Sequence, residues 1–471
     1  RRGRHLLISP RLKVGSLRTK ISSMSAIVAV IAIVSLSVSL ASAPARAAGI
    51  RDAEIEYTIR TYASPLLRAA GIEQRDFGLH IVNDKALNAF VARGQRIFIT
   101  SGLLMSAERP GQVIGVLAHE IGHITGGHLA RLEGALDDAR SQALIGQIIG
   151  LALGVLAKDG GVAAAGSAAG TGVAIKNLLK FSRIQEQSAD QVAVNLLDQT
   201  QTSARGLLEF FELLQDQELL VRARQDDYVV THPLTQNRIG FVRNHVAKSP
   251  YSDKKLPTIL QAMHDRMVAK LKGFINPPSQ TLFEFKADDP SVMARYARTV
   301  AYYRDARIAQ ALPIIDGLIS DAPDDAYFHE LKGQILFENG RIKEALPSYQ
   351  KAVDLQPNQP LLRVGLAHAQ IELNRPDMVP VALRNLQQAI RYDRNMPLSW
   401  RLAATAYGRN GDLGMSALAL AEHNLLLGRN LDAAGQAKKA QRLLKENSPS
   451  WLRAQDIANT ADRARRKQNN R

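Results

Sequence analysis

Cysteine is absent from all 471 residues. Its absence excludes a disulfide framework, a thiol nucleophile and any cysteine-held zinc or iron–sulfur site. Long apolar runs are almost as scarce. The stretch Ala26–Ala41 stands out, yet it is shorter than the ~20 apolar residues of a membrane span, and no other segment reads as a transmembrane helix. Acidic residues are missing from positions 1–47, which hold eight arginines and lysines. What remains is 46% hydrophobic and 22% charged, enough apolar material to build cores and to exclude wholesale disorder. The length points to two or three domains. A net charge of +16 would ordinarily suggest nucleic acid. However, eight of the basic residues lie in 1–47, and five more (Arg463, Arg465, Arg466, Lys467 and Arg471) lie at the other end. The middle is close to neutral, so no nucleic-acid partner is expected.

The basic start, the apolar run and Ala45-Arg46-Ala47 have the order of a secretory signal, with cleavage before Ala48. Residues 1–47 are therefore expected to be a signal peptide that sends the chain to the periplasm. A mitochondrial presequence is the lesser alternative. Three regions follow. Residues 48–273 are largely helical in pattern, with one strand-like stretch, Arg96–Thr100. Residues 274–291 open on Ile275-Asn276-Pro277-Pro278-Ser279 and read as a linker. From 292 to 450 the chain repeats with a period of 34 residues, that of a tetratricopeptide unit. Gly333, Ala345, Tyr349, Ala352 and Pro357 carry the pattern best. Tyr302, Ala311 and Pro323 repeat it upstream, and Trp400, Ala404, Tyr407 and Gly411 downstream, with an insertion near Arg375–Pro380. Two antiparallel helices approach closely only where small residues face each other, and the prolines end the second helix. A helical pair over 431–449 would cap the array, and 451–471 reads as a basic tail. Such a solenoid offers a groove for peptides or proteins. Ala143–Ala157, followed by a Gly/Ala-rich run to Gly172, is either a flexible lid or a membrane-touching hairpin.

The chemistry centres on His119-Glu120-Ile121-Gly122-His123, an H-E-x-x-H motif within a segment of helical apolar spacing. On a helix His119 and His123 face the same way, one turn apart, so both can reach one metal ion. Glu120 beside them can take a proton from an attacking water. A third ligand ten residues after His119 would be Leu129, which cannot serve. At ~100° per residue, His128 falls on the far side of a continuous helix and reads as a surface or supporting residue. Glu186 and Asp190, in Glu186-Gln187-Ser188-Ala189-Asp190, share a helical face. A carboxylate from Glu186 would complete a His₂Glu set with one open position, the catalytic arrangement of zinc. Asp190 could then hydrogen-bond a histidine and fix its tautomer. His245 and His264 match no motif and read as ordinary helical residues.

H-E-x-x-H, then E-x-x-A-D about sixty residues on, then Thr231-His232-Pro233 with Arg238, resembles the membrane-associated zinc peptidases related to the CAAX prenyl protease. The resemblance implies a mainly α fold: a helical zincin-type peptidase domain with a small sheet, followed by a tetratricopeptide solenoid. It implies one Zn²⁺ per chain on His119, His123 and Glu186, with Glu120 as general base. Asp190 would take a proton-donor or tautomer-fixing role. His232 would stabilise the oxyanion or fill the fourth zinc position in a resting, self-inhibited state, and Arg238 would pair with a carboxylate near the site or orient its loop. The family often has a Pro-Gly-Gly turn after Asn88-Ala89-Phe90; here that turn reads Val91-Ala92-Arg93-Gly94-Gln95. Arg96–Thr100 would still form the edge strand that pairs with an extended substrate. With the signal peptide and the repeats, the resemblance narrows to periplasmic members. Their substrates would be unfolded or misassembled outer-membrane proteins, and their partners the outer-membrane assembly machinery. A chaperone or scaffold with a closed zinc site is the alternative.

Overall fold

The computed structural model describes residues 49–74, 76–92, 95–128, 131, 183–220, 232 and 234–469. The expectations for 1–47, 143–172, Thr231 and Pro233 fall outside the described residues. None of the described helices is long and apolar enough to cross a membrane.

The fold is mainly α with one small sheet. A short strand β1 (Gly49–Ile50) leads into α1 (Ala53–Ala69). The Asp52 carboxylate starts this helix by accepting the N–H groups of Glu54 and Ile55. Ile55, Ile59, Tyr62 and Leu66 then line its buried face. Three strands follow: β2 (Gly78–Val82), β3 (Ala89–Ala92) and β4 (Arg96–Thr100). Their order is β1-β2-β4-β3, with β2 parallel and β3 antiparallel to β4. Leu79, Ile81, Ile97 and Ile99 point into the core. On the other face His80, Phe98 and Phe90 stack across three strands, with ring centroids 4.6 and 5.0 Å apart. Arg96–Thr100 is therefore paired on both sides and is not the edge. Among the described residues the edges are β1 and β3, and β3 lies against the helix carrying H-E-x-x-H. The sequence hid this because β2, whose alternation is only five residues long, finds its partner across an intervening strand.

The rest of this domain is helical: α2 (Ser101–Ser106), α3 (Pro110–Thr125), α4 (183–199), α5 (Arg205–Leu220), α6 (Gln236–Lys248) and α7 (Thr258–Ile275). Helix α3 starts on Pro110, whose fixed φ suits a first turn. Val113, Val116, Leu117, Ala118 and Ile121 are fully buried, so the motif helix runs through the core rather than over the surface.

Residues 274–291 are not a free connection. They contain α8 (Pro278–Glu284), and Thr281 and Phe285 are buried. Prolines at the first helical positions start α8 instead of breaking the chain. Helical pairs follow: α9 (Val292–Arg304) with α10 (Ile308–Asp321), α11 (Ala326–Glu338) with α12 (Ile342–Leu355), and α13 (Pro360–Glu372) with α14 (Val379–Tyr392). Then come α15 (Pro397–Arg409) with α16 (Leu413–Leu426) and α17 (Asn430–Leu443) with α18 (Pro449–Asn469). A 3₁₀ turn, Pro376–Met378, accommodates the insertion. A Cβ on Gly333 would stand 2.9 Å from the Tyr349 ring, which explains the small–aromatic pairing of the repeat. The segment read as a basic tail is the second helix of the cap. Ala454, Ile457, Ala458 and Ala461 are buried at i, i+3, i+4 and i+7, a stripe masked by the arginines around it.

A buried ionic cluster joins the repeats to the first domain. Lys270 Nζ of α7 lies 2.8 Å from Asp52, 3.4 Å from Glu54 and 3.3 Å from Glu330 of α11. Arg266 pairs with Glu54 at 2.6 Å and with Asp325, and stacks on Phe328. Tyr296 of α9 donates its hydroxyl to Glu54 at 2.6 Å. Burial pushes the Glu330 carboxyl up to about 7, against the pull of Lys270. Between its ordinary value of 4.5 and about 7, folded Glu330 holds a proton that the unfolded chain has lost. Stability is therefore expected to fall as pH rises through that window. In thermal melts between about pH 5 and about pH 8, Glu330→Gln should flatten the slope. A variant with the wild-type slope would assign it to another group.

Candidate metal centre

Two helices and one loop residue build the site. Helix α3 presents His119, Glu120 and His123; α4 presents Glu186 and Asp190; His232 lies just ahead of α6. The approach of α4 depends on residues between the ligands. A Cβ on Gly122 would stand 2.7 Å from the carbonyl oxygen of Ala189, so only glycine lets the two backbones meet there. Ala189 is itself fully buried. The spacer positions of both motifs thus bring Glu186 to the histidines.

One imidazole nitrogen each from His119, His123 and His232, with a Glu186 oxygen, all lie within 4.8 Å of one another. His119 Nε2 is 3.1 Å from His123 Nε2 and 3.4 Å from His232 Nδ1. Glu186 oxygens lie 3.3 Å from each of the first two nitrogens and 3.2 Å from His232 Nδ1. Ligands at the zinc–nitrogen distance of ~2.0–2.1 Å in a tetrahedron are separated by about 3.3 Å, so the donor set fits such an ion. Imidazole nitrogens with a buried carboxylate are also the chemistry that a borderline metal prefers. The four residues can hold a metal ion. Glu120 is fully buried, and neither of its oxygens has a hydrogen-bond donor among the described residues. His232 Nε2 lies 3.6 Å from Oε1.

Arg238 neutralises the carboxylates from behind. It is 2% exposed, binds both oxygens of Asp190 at 2.7 and 2.8 Å, and reaches Glu186 at 2.9 Å. Its guanidinium lies 4.9 Å from the Phe211 ring centroid and donates to the His232 carbonyl. Burial would raise the Glu186 carboxyl, but His232, His119 and His123 hold it well below the usual range. Asp190 is likewise lowered, burial being outweighed by Arg238 and His119. Burial opposes charge on His119, yet Asp190 and Glu186 hold its pKa up at about 9. For His123 burial prevails and lowers the value. The pocket therefore keeps two carboxylates ionised and favours a cation among the rings.

Of the residues singled out in the sequence, His119, His123, Glu186 and His232 converge, and Glu120 lies beside them. Asp190 is placed behind His119, its Oδ1 2.9 Å from Nδ1. Both of its oxygens also bind Arg238. Arg238 fills both of its alternatives, carboxylate partner and loop anchor. His264 lies elsewhere, hydrogen-bonded to the Ala107 carbonyl, and His245 pairs with Asp198. For His128 the structure decides between the two alternatives: it is 2% exposed, so it is the supporting residue and not a surface one, and its Nδ1 is 3.0 Å from Nδ1 of His123. The helix ends at Thr125, and Gly127 (φ +61°) turns the chain back, so the 100° wheel does not extend to His128. The Gly126-Gly127 pair was the available signal. Burial, with His123 and Arg131 nearby, pushes His128 down to about 4.

Residues 50–246 match the model of Peptidase family M48, and residues 296–360 match a tetratricopeptide repeat model. Curated relatives include the beta-barrel assembly-enhancing protease of Yersinia pestis, 25% identical over 409 residues, 85% of this chain and 82% of that one. The protein of the same name from Escherichia coli K12 is 26% identical over 398 residues, 82% of this chain and 78% of that one. Among solved structures the TPR protein YrrB is similar to 38% of this chain over 92% of its own, with 18% identity and a TM-score of 0.31.

Proposed function

Because the chain is a metalloendopeptidase with a Peptidase family M48 domain and tetratricopeptide repeats, we propose that it is a zinc enzyme of the periplasm, exported on a cleaved signal peptide. Its clients would be misfolded or stalled outer-membrane proteins. The observation that carries the chemistry is the convergence of His119, His123 and Glu186 from two separate helices. The client class rests on the relatives named beta-barrel assembly-enhancing proteases, matched over both domains.

His119, His123 and Glu186 would hold one zinc ion per chain. The ion would supply Lewis acidity to water and to the scissile carbonyl. Glu120 takes the proton of the attacking water and returns it to the leaving amine. Asp190 holds His119 in the tautomer that turns Nε2 inward, and Arg238 keeps both carboxylates in place. An extended client segment would pair with β3, the edge strand beside α3. Main-chain pairing reads sequence weakly, so the client must be locally unfolded. The repeats would dock the client or the assembly machinery.

His232 supports the second reading, a chaperone or scaffold with a closed site. Its Nδ1 sits 3.2–3.4 Å from Glu186 and His119, at the fourth corner of the donor set. Water or a carbonyl could reach that corner only after it moves. One experiment tests both readings: zinc content and casein cleavage, with and without chelator, for the wild type and His232→Ala. We expect one zinc per chain and cleavage that disappears with chelator. His232→Ala should cleave about tenfold faster or more if the closed state dominates. Cleavage by metal-free protein would end the zinc proposal. Slower cleavage by His232→Ala would make that residue an oxyanion stabiliser.

A further inference from the structure

His128 was not required by the mechanism above, yet it is placed with care. A Cβ on Gly126 would stand 2.3 Å from His128 Nε2, so the ring lies directly over that glycine. The side chain of Gln185, next to Glu186 on α4, donates to the His128 carbonyl at 3.2 Å. The residue is thus tied to both ligand-bearing helices. Its Nδ1 faces Nδ1 of His123 at 3.0 Å, and the other nitrogen of His123 points at His119 and Glu186.

We propose that His128 is the positioning residue of His123, accepting the His123 Nδ1–H so that Nε2 is left unprotonated and aimed at the metal. This rests on the metal-site reading above. A neutral imidazole carries one N–H, so the direction of this hydrogen bond decides which nitrogen of His123 can bind. In the reverse direction the proton would sit on His123 Nε2, 3.1 Å from His119 Nε2, where the ion belongs. Metal uptake therefore selects the arrangement in which His128 accepts. Ligand histidines are generally fixed by a carboxylate, carbonyl or water at the distal nitrogen. Asp190 Oδ1 stands at that place for His119, 2.9 Å from Nδ1, and a second histidine takes it for His123. The Gly126-Gly127 turn that ends α3 swings His128 into place.

The test is zinc affinity by competition with a chromophoric chelator, on the full chain. His128→Phe keeps a ring in the space but offers no acceptor; zinc binding should weaken by ~10–100-fold. His128→Asn returns an acceptor oxygen at the position of Nδ1 and should recover most of the affinity. Gly126→Ala, which displaces the ring, should behave like His128→Phe. Melting curves of the metal-free variants show that the fold is kept. Zinc affinity equal to wild type in His128→Phe would overturn the proposal while leaving the metal site intact. A wild-type chain that takes up no zinc would instead remove the reading on which the proposal rests.

Discussion

Glu120→Gln is expected to lower peptide hydrolysis by ~10²–10⁴-fold, the usual worth of a general base, while zinc uptake and folding persist. That loss corresponds to about 3–5 kcal/mol of barrier. Glutamine has nearly the same shape, and Glu120 is fully buried with no hydrogen-bond donor on either oxygen among the described residues. The substitution therefore breaks no hydrogen bond of that side chain among the described residues. What it removes is the proton acceptor beside His119 and His123. Side-by-side zinc content, thermal melting and casein cleavage separate these effects. Activity within a few-fold of wild type would require another base. His119→Ala provides the contrast, since it should lose zinc and cleavage together.

Lys270→Met should destabilise the junction between the domains by about 3–5 kcal/mol, the range for stranding buried charges. Lys270 is 1% exposed in its side chain and is the shared cation of Asp52, Glu54 and Glu330. Burial alone would lower its pKa, but Asp52 and Glu330 hold it well above the ordinary value, so it is charged throughout the accessible range. Without it, Arg266 is the remaining cation beside Glu54. Total domain stabilities are only ~5–15 kcal/mol, so a loss of this size should be plain in melts and in faster proteolysis over 274–291. Adding Glu330→Gln to Lys270→Met should restore part of the loss, because neighbouring sites couple. A Lys270→Met protein as resistant as wild type would show that the apolar contacts of α7 with α9 suffice.

The repeats and the metal residues were legible because their physics is periodic or local. A 34-residue period needs only small residues at fixed offsets, and His119 with His123 needs only one helical turn. The motif E-x-x-A-D announced Glu186 and Asp190 in the same way. By contrast, the buried stripe of α18 was hidden by its arginines, and the helix over 278–284 by prolines that can equally start a helix. The placing of Arg96–Thr100 inside the sheet was illegible for another reason. Strand order depends on which segments meet, and β2 joins β4 across the intervening β3.

Two features were decided chiefly by the tertiary structure. One is the burial of His128 against His123, which follows from a helix that stops at Thr125 and a glycine turn that folds back. The other is the ionic junction of Asp52, Glu54, Arg266, Lys270 and Glu330, drawn from positions up to 278 residues apart. The sequence by itself determined which side chains can bind a metal, move a proton and stack helices, because those capacities belong to residue type and short spacing. Only the three-dimensional packing decided which charges lose their water and which nitrogen faces which, because desolvation and hydrogen-bond direction depend on neighbours that the linear chain does not place side by side.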